Sequence, residues 1–295
     1  MKYIMAQPAI LRFEWETKAA VYALKKLGIK KEDIILLFSY VDETSNSVVN
    51  TLEHYGATTH LFSDTRTNDE KFYIPSLKPY LMYRYFSGVR EPDSYLYMDS
   101  DVLIMDNIFT NMLLPDNNNW FGSDVGGYLN YDYITGCDKG LSILEGMANI
   151  VGTSTDWIKK NNENTIGGQY LIYNPNPDYF YKVYKDSVAL WTYIKDIDTN
   201  YQKWCQEMVS TFWNMDVFDI NPTKSDSMGF TWATDDYSTI WSNNILHNAG
   251  IIDEEGPEFF KGKFVNNYPS KKDLVTYSGK ASDYYAETVM RALNY

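Results

Sequence analysis

The chain has 295 residues and a formal net charge of -13, from 26 Lys and Arg against 39 Asp and Glu. It is long enough to bury a substantial core and too acidic to bind by coating a polyanion or an acidic membrane surface with cations. Its two cysteines, Cys137 and Cys205, lie far apart in no Cys-x-x-Cys pattern, and no apolar run approaches the ~18 residues that a membrane span needs, so neither a disulfide scaffold, a thiolate zinc site nor a membrane protein is indicated and a soluble, cytoplasmic protein is expected.

In chain order, "KYIMAQP" reads as a strand, residues 14–28 as a helix stopped by Gly28, and "DIILLFSY" as a second strand. A helix through "SVVNTLEHYG", a strand at "THLFSD", a helix over "PSLKPYLMYRYFSG" and the strand "SYLYMDSD" follow. Short apolar strands alternating with helices that end on glycine are the pattern of right-handed βαβ units and a mostly parallel sheet, so an α/β fold is expected. Beyond residue 106 the pattern is less regular. It gives a loop at "DNNNW", a short strand at "WFGSDV", a helix across "DKGLSILEGMANIVG", a strand at "TIGGQYLIYNP" and a long aromatic helical stretch from Pro177 to about Trp213. Short strands and turns then lead to a closing helix at "ASDYYAETVMRALN". With no internal repeat or low-complexity linker, one domain over residues 1–295 is expected.

Asp99 and Asp101, in "YLYMDSDVLI", stand one residue apart behind a strand-forming run. In α/β sheets ligands gather beyond the carboxyl ends of the strands, and two close carboxylates there must stay solvated, share a proton or hold a cation. A divalent ion is the economical reading. His247, in "WSNNILHNAGI", sits where an apolar strand runs into a tight turn; an imidazole is a natural third ligand and shifts preference from Mg²⁺ toward Mn²⁺. Lys261 and Lys263, in "FFKGKF", offer point charges for a diphosphate and equally read as solvated edge lysines. Gly167 and Gly168 permit close backbone approach to a ligand, and Gln169 offers both a donor and an acceptor to sugar hydroxyls. Asp235 and Asp236, in "FTWATDDYSTIW", are acceptor carboxylates among aromatics; helix N-capping is their alternative reading.

An Asp-x-Asp behind a hydrophobic strand, three preceding βα units, a Gly-Gly-Gln strand, an Asp-Asp near Trp and a late His-x-x-Gly together resemble the GT-A fold glycosyltransferases. The nearest pattern is the retaining family of glycogenin and the bacterial galactosyltransferases, over about residues 1–265. The resemblance implies a Rossmann-like, mixed and mostly parallel sheet, a nucleotide-diphosphate sugar as donor, first of all a UDP-sugar, and Mn²⁺ or Mg²⁺ as cofactor. It places Asp99 near the ribose and the metal, Asp101 on the metal, and His247 as the last protein ligand. Residues 1–106 become the nucleotide-binding half, 107–265 the donor-sugar and acceptor half, and 266–295 an extension.

The family's pattern has a Lys six positions after the late His, where this chain has Asp253, so Lys261 or Lys263 is expected to take the diphosphate contact. An inverting enzyme would need a carboxylate base, for which Asp235 or Asp236 is available; retention is the expectation. Some viral enzymes of this general type glycosylate glycans or hydroxymethylated bases, and for such a member the host cytoplasm is the location. The acidic balance favours a glycan or small hydroxylated acceptor, with nucleic acid entering only as a modified base. A carbohydrate-binding protein without activity, a sugar nucleotidyltransferase and a haloacid-dehalogenase-like phosphatase are the alternatives; the last two fit poorly, because "AQPAILRFEWE" lacks a Gly-rich basic loop and three strand–helix units precede the Asp pair.

Overall fold

The computed structural model describes residues 1–89, 91–106 and 114–294. Ten strands occur among them: β1 (Lys2–Pro8), β2 (Ile34–Tyr40), β3 (Thr58–Ser63), β4 (Ser94–Tyr97), β5 (Val102–Ile104), β6 (Asn119–Asp124), β7 (Ile166–Tyr173), β8 (Asn221–Lys224), β9 (Phe230–Trp232) and β10 (Ile245–His247). Seven of them form one mixed, mostly parallel sheet in the order β3-β2-β1-β4-β7-β6-β8, and β5-β10-β9 form a small second sheet. Helices Leu11–Lys26 and Ser45–Tyr55 connect the parallel strands β1, β2 and β3, as the alternating pattern requires. β1 and β2 are buried almost end to end, which is why they read as continuous apolar runs and not as alternating ones.

The chain divides into two compact units. One comprises Lys2–Asp64, Met98–Leu113 and Asp226–Tyr295, and it contains β1 to β3 and the small sheet. Its core joins distant segments around Trp15, whose ring meets Phe259 and Phe264 edge-on at 6.0 and 6.5 Å and whose indole N–H donates to the Phe264 carbonyl at 3.0 Å. Leu103, Leu246, Leu274, Tyr285 and Val289 complete that core, the last two from the closing helix Ala281–Ala292.

The other unit comprises Thr65–Tyr97 and Leu114–Ser225, with Met1. In it β7 runs antiparallel to both β4 and β6. The Pro177–Trp213 stretch, expected as one helix, is two: Pro177–Ile194 and Gln206–Val217. The break follows from side chains that compete for the backbone. Thr199 Oγ1 donates to the Asp138 carbonyl at 2.6 Å and Asn200 Oδ1 accepts from the Asp138 amide at 2.9 Å, which ties the intervening loop down. Strand β4 also stops at Tyr97, short of the Asp pair. Among the described residues no helix is long and apolar enough to cross a membrane.

Trp15 therefore carries more than its own burial, because it also pins the segment after residue 258. Trp15→Ala is expected to lower the unfolding free energy by about 3–5 kcal/mol in urea titrations. A loss below about 1 kcal/mol would contradict this anchoring role.

Candidate functional site

The Asp pair lies in a turn. After β4, the Met98 amide donates to the Ile4 carbonyl at 3.1 Å, and the Val102 amide donates back to the Asp99 carbonyl at 3.2 Å, closing a tight turn over residues 99–102. The chain then enters β5, whose antiparallel partner β10 sets His247 opposite Val102. The Asn248 amide extends this pairing to the Asp101 carbonyl at 2.9 Å. Strand register alone thus delivers His247 to the Asp pair. The exit turn follows at once, with the Ala249 amide on the His247 carbonyl at 2.8 Å and Gly250 at φ +95°, a left-handed conformation that favours glycine.

Asp99, Asp101 and His247 each offer a ligand atom, and these atoms all lie within 4.8 Å of one another. His247 Nε2 is 3.5 Å from Asp101 Oδ1 and 3.9 Å from Asp99 Oδ2. An ion about 2.1 Å from each ligand can bridge donors up to about 4.2 Å apart, so both separations suit one divalent cation. Two carboxylates and one imidazole form a hard-to-borderline donor set that fits Mn²⁺ or Mg²⁺. The imidazole is held by Trp232 on β9, whose ring stacks on it at 5.7 Å and 16°.

Lys261 belongs to the same cluster. Its ammonium bonds Asp101 Oδ2 and donates to the Asn248 carbonyl at 2.9 Å. Burial by itself would raise the Asp101 carboxyl, but the facing Lys261 ammonium and His247 imidazole hold it well below the usual carboxylate range. Beneath the turn, Glu16 is buried on helix Leu11–Lys26, accepting from Ser100 Oγ at 3.0 Å and from Arg12 Nε at 2.7 Å. Burial raises the Glu16 carboxyl above its ordinary value, against the pull of Lys261 and Arg12.

Lys263, Asp236 and Asp235 make other contacts in the same unit. Lys263 pairs with Glu254 at 3.1 Å, both side chains exposed. Asp236 is 74% exposed and accepts from Lys280 Nζ at 2.8 Å, a contact that lowers its carboxyl below the ordinary value. The Asp235 carboxylate accepts from the Trp232 amide at 2.8 Å, so it braces the residue stacked on His247. Gly167, Gly168 and Gln169 lie on β7 in the other unit. A Cβ on Gly167 would stand 2.7 Å from Met208 Cε and from Val125 Cγ2, and Gly168 adopts φ +70° where the β6–β7 register shifts. Gln169 is fully buried, its Oε1 accepting from Ser123 Oγ at 2.8 Å.

Arg12, Glu16, Ser100, Asn248 and Trp232 were not identified from sequence. The Arg12–Glu16 spacing of four was a visible helical pair. Nothing local marked its position under residue 100.

No protein-family model matches the sequence, and no curated protein matches it. Among solved structures, the chain is similar to the bifunctional glycosyltransferase WbbM in its apo form, with TM-score 0.52 and 13% identity over 99% of this chain and 50% of that one. It is also similar to the galactosyltransferase LgtC in complex with donor and acceptor sugar analogues, with TM-score 0.52 and 14% identity over 99% of this chain and 96% of that one. The chain thus spans half the length of WbbM and nearly all of LgtC. At these identities the likeness shows the fold, and that fold is GT-A.

The Asp101–Lys261 pair has a testable pH signature. A carboxylate whose folded pKa is depressed adds stability above its unfolded pKa of about 3.9, and loses it as pH falls through the folded value. In the presence of a chelator, Asp101→Asn is expected to cost about 3 kcal/mol at pH 7, with the gap to wild type closing progressively below about pH 4. Urea titrations from pH 7 to pH 3 measure it. A gap independent of pH would contradict the ionised pair.

Proposed function

We propose that the protein is a divalent-metal-dependent glycosyltransferase, moving a sugar from a nucleotide-diphosphate donor, first of all a UDP-sugar, to a hydroxyl acceptor. The observation that carries this reading is the meeting of Asp99, Asp101 and His247 on a GT-A fold. Asp101 and His247, oriented by β5–β10 pairing and by Trp232, would hold the ion, with Asp99 as its more solvent-facing ligand. When bound, such an ion supplies Lewis-acid neutralisation of the charge that develops on the leaving diphosphate. The Lys261 ammonium adds a second positive charge to the same face and takes the role that the family pattern gives to a Lys where this chain has Asp253.

Retention of anomeric configuration is the stereochemical reading, on the likeness of the motif set. The acceptor is read as a neutral glycan or small hydroxylated molecule, because the net charge of -13 disfavours a long polyanion.

Calorimetry with UDP in the presence of Mn²⁺ tests the assignment. Asp101→Ala and His247→Ala are expected to weaken metal-dependent UDP binding by about tenfold or more each, in line with the loss of a metal ligand, while far-UV circular dichroism stays native. Unchanged metal-dependent binding in both variants would refute it.

A further inference from the structure

Lys261 has two kinds of anionic partner within the reading proposed above, and it contacts one of them directly. Its ammonium bonds Asp101 Oδ2, the carboxylate that also faces His247 Nε2 at 3.5 Å through its other oxygen. A dication held by Asp101 and His247 would share this carboxylate with the ammonium. Two like charges at that spacing repel strongly in a site where Asp101 is 8% exposed and Lys261 19%.

The backbone that bears Lys261 is anchored on both sides. Phe259 and Phe264 on either side are buried against Trp15, and the Phe264 carbonyl is bonded to the Trp15 indole. Between these anchors the lysine has four methylenes, a stem long and flexible enough to carry a compact charge from one partner to another. Its second bond, to the Asn248 carbonyl, is to a neutral acceptor and yields readily to an anion.

We propose that Lys261 is an exchangeable counter-ion. It neutralises Asp101 when no dication is bound, and it transfers to the diphosphate of the nucleotide when the metal takes Asp101. The inference rests on the glycosyltransferase reading and adds to it a mechanism of coupling. Metal alone must displace the ammonium from Asp101 with no incoming anion to receive it, and nucleotide alone must draw the lysine away and leave Asp101 without its ammonium partner. When both bind, every charge has a partner. Metal and nucleotide therefore strengthen each other's binding by the same factor, as linkage requires.

The test titrates Mn²⁺ into wild type, Lys261→Met and Lys261→Arg, each with and without UDP, following free Mn²⁺ by electron paramagnetic resonance. Wild type is expected to bind Mn²⁺ weakly alone and much more tightly with UDP. In Lys261→Met, Mn²⁺ alone should bind about tenfold or more tightly than in wild type, and the enhancement by UDP should shrink by a similar factor. Lys261→Arg, which keeps the charge, should retain the wild-type weak binding of Mn²⁺ alone. Melting with and without Mn²⁺ gives a second readout, since the variant relieved of its competing cation should gain the larger rise in Tm.

Equal or weaker binding of Mn²⁺ alone in Lys261→Met, or a UDP enhancement as large as in wild type, would overturn the exchange while leaving the metal site standing. A wild type that binds no Mn²⁺ with or without UDP would remove the metal site and the exchange together.

Discussion

Three carboxylates, Asp99, Asp101 and Glu16, crowd around one turn, and the two buried ones, Asp101 and Glu16, need partners for their charge. The cost of desolvating a carboxylate is several kcal/mol, and each close like charge adds to it. The cations that answer it are Arg12 beneath the turn and Lys261 beside it, with His247 facing Asp101 and Asp99. The partners arrive from widely separated segments. Arg12 and Glu16 come from the first helix, the Asp pair from the β4–β5 turn, His247 from β10 and Lys261 from a short 3-10 turn, 160 residues beyond Asp101. Charge neutralisation at this point therefore demands the small β5-β10-β9 sheet and the Trp15-centred packing that brings the Lys261 segment in.

Such a cluster is poor evidence for selection on stability. Buried ion pairs return little beyond what hydrophobic packing of the same volume would give, while breaking one leaves an uncompensated charge. What the arrangement provides is preorganisation. The turn is braced by Ser100 on Glu16 and by the Asn248 amide on the Asp101 carbonyl, and the imidazole is stacked on the indole of Trp232, whose backbone amide is bonded to Asp235. Groups fixed in this way need no reorganisation when a charged ligand arrives, and that is the condition under which electrostatic catalysis is efficient.

Much of the α/β framework was readable because buried parallel strands are dense apolar runs and their helices end at glycines. The Asp pair and His247 stood out in the sequence because those residue types at a strand end or strand exit have few inexpensive fates, and the structure brings their side chains within 4.8 Å of one another. Other features lay outside local sequence logic. β5, β9 and β10 are three residues each, too short to show any period, and their pairing is what joins residue 247 to residue 101. The break after Ile194 depends on Thr199 and Asn200 reaching the backbone of residue 138, and Gly167 reflects the packing of Met208 and Val125 against β7. Each is a tertiary cause with no sequence-local trace. The placement of Glu16 beneath the turn is also tertiary, since its partner Ser100 is 84 residues away, although its i,i+4 pairing with Arg12 is local.

A divalent metal held by Asp99, Asp101 and His247 would be visible in anomalous diffraction at the manganese edge from crystals grown with Mn²⁺ and UDP. One strong peak is expected within about 2.5 Å of Asp101 and of His247 Nε2, with Asp99 in or next to the coordination sphere. A well-occupied nucleotide with no peak at these residues, or a peak held by a different set of side chains, would contradict this metal site.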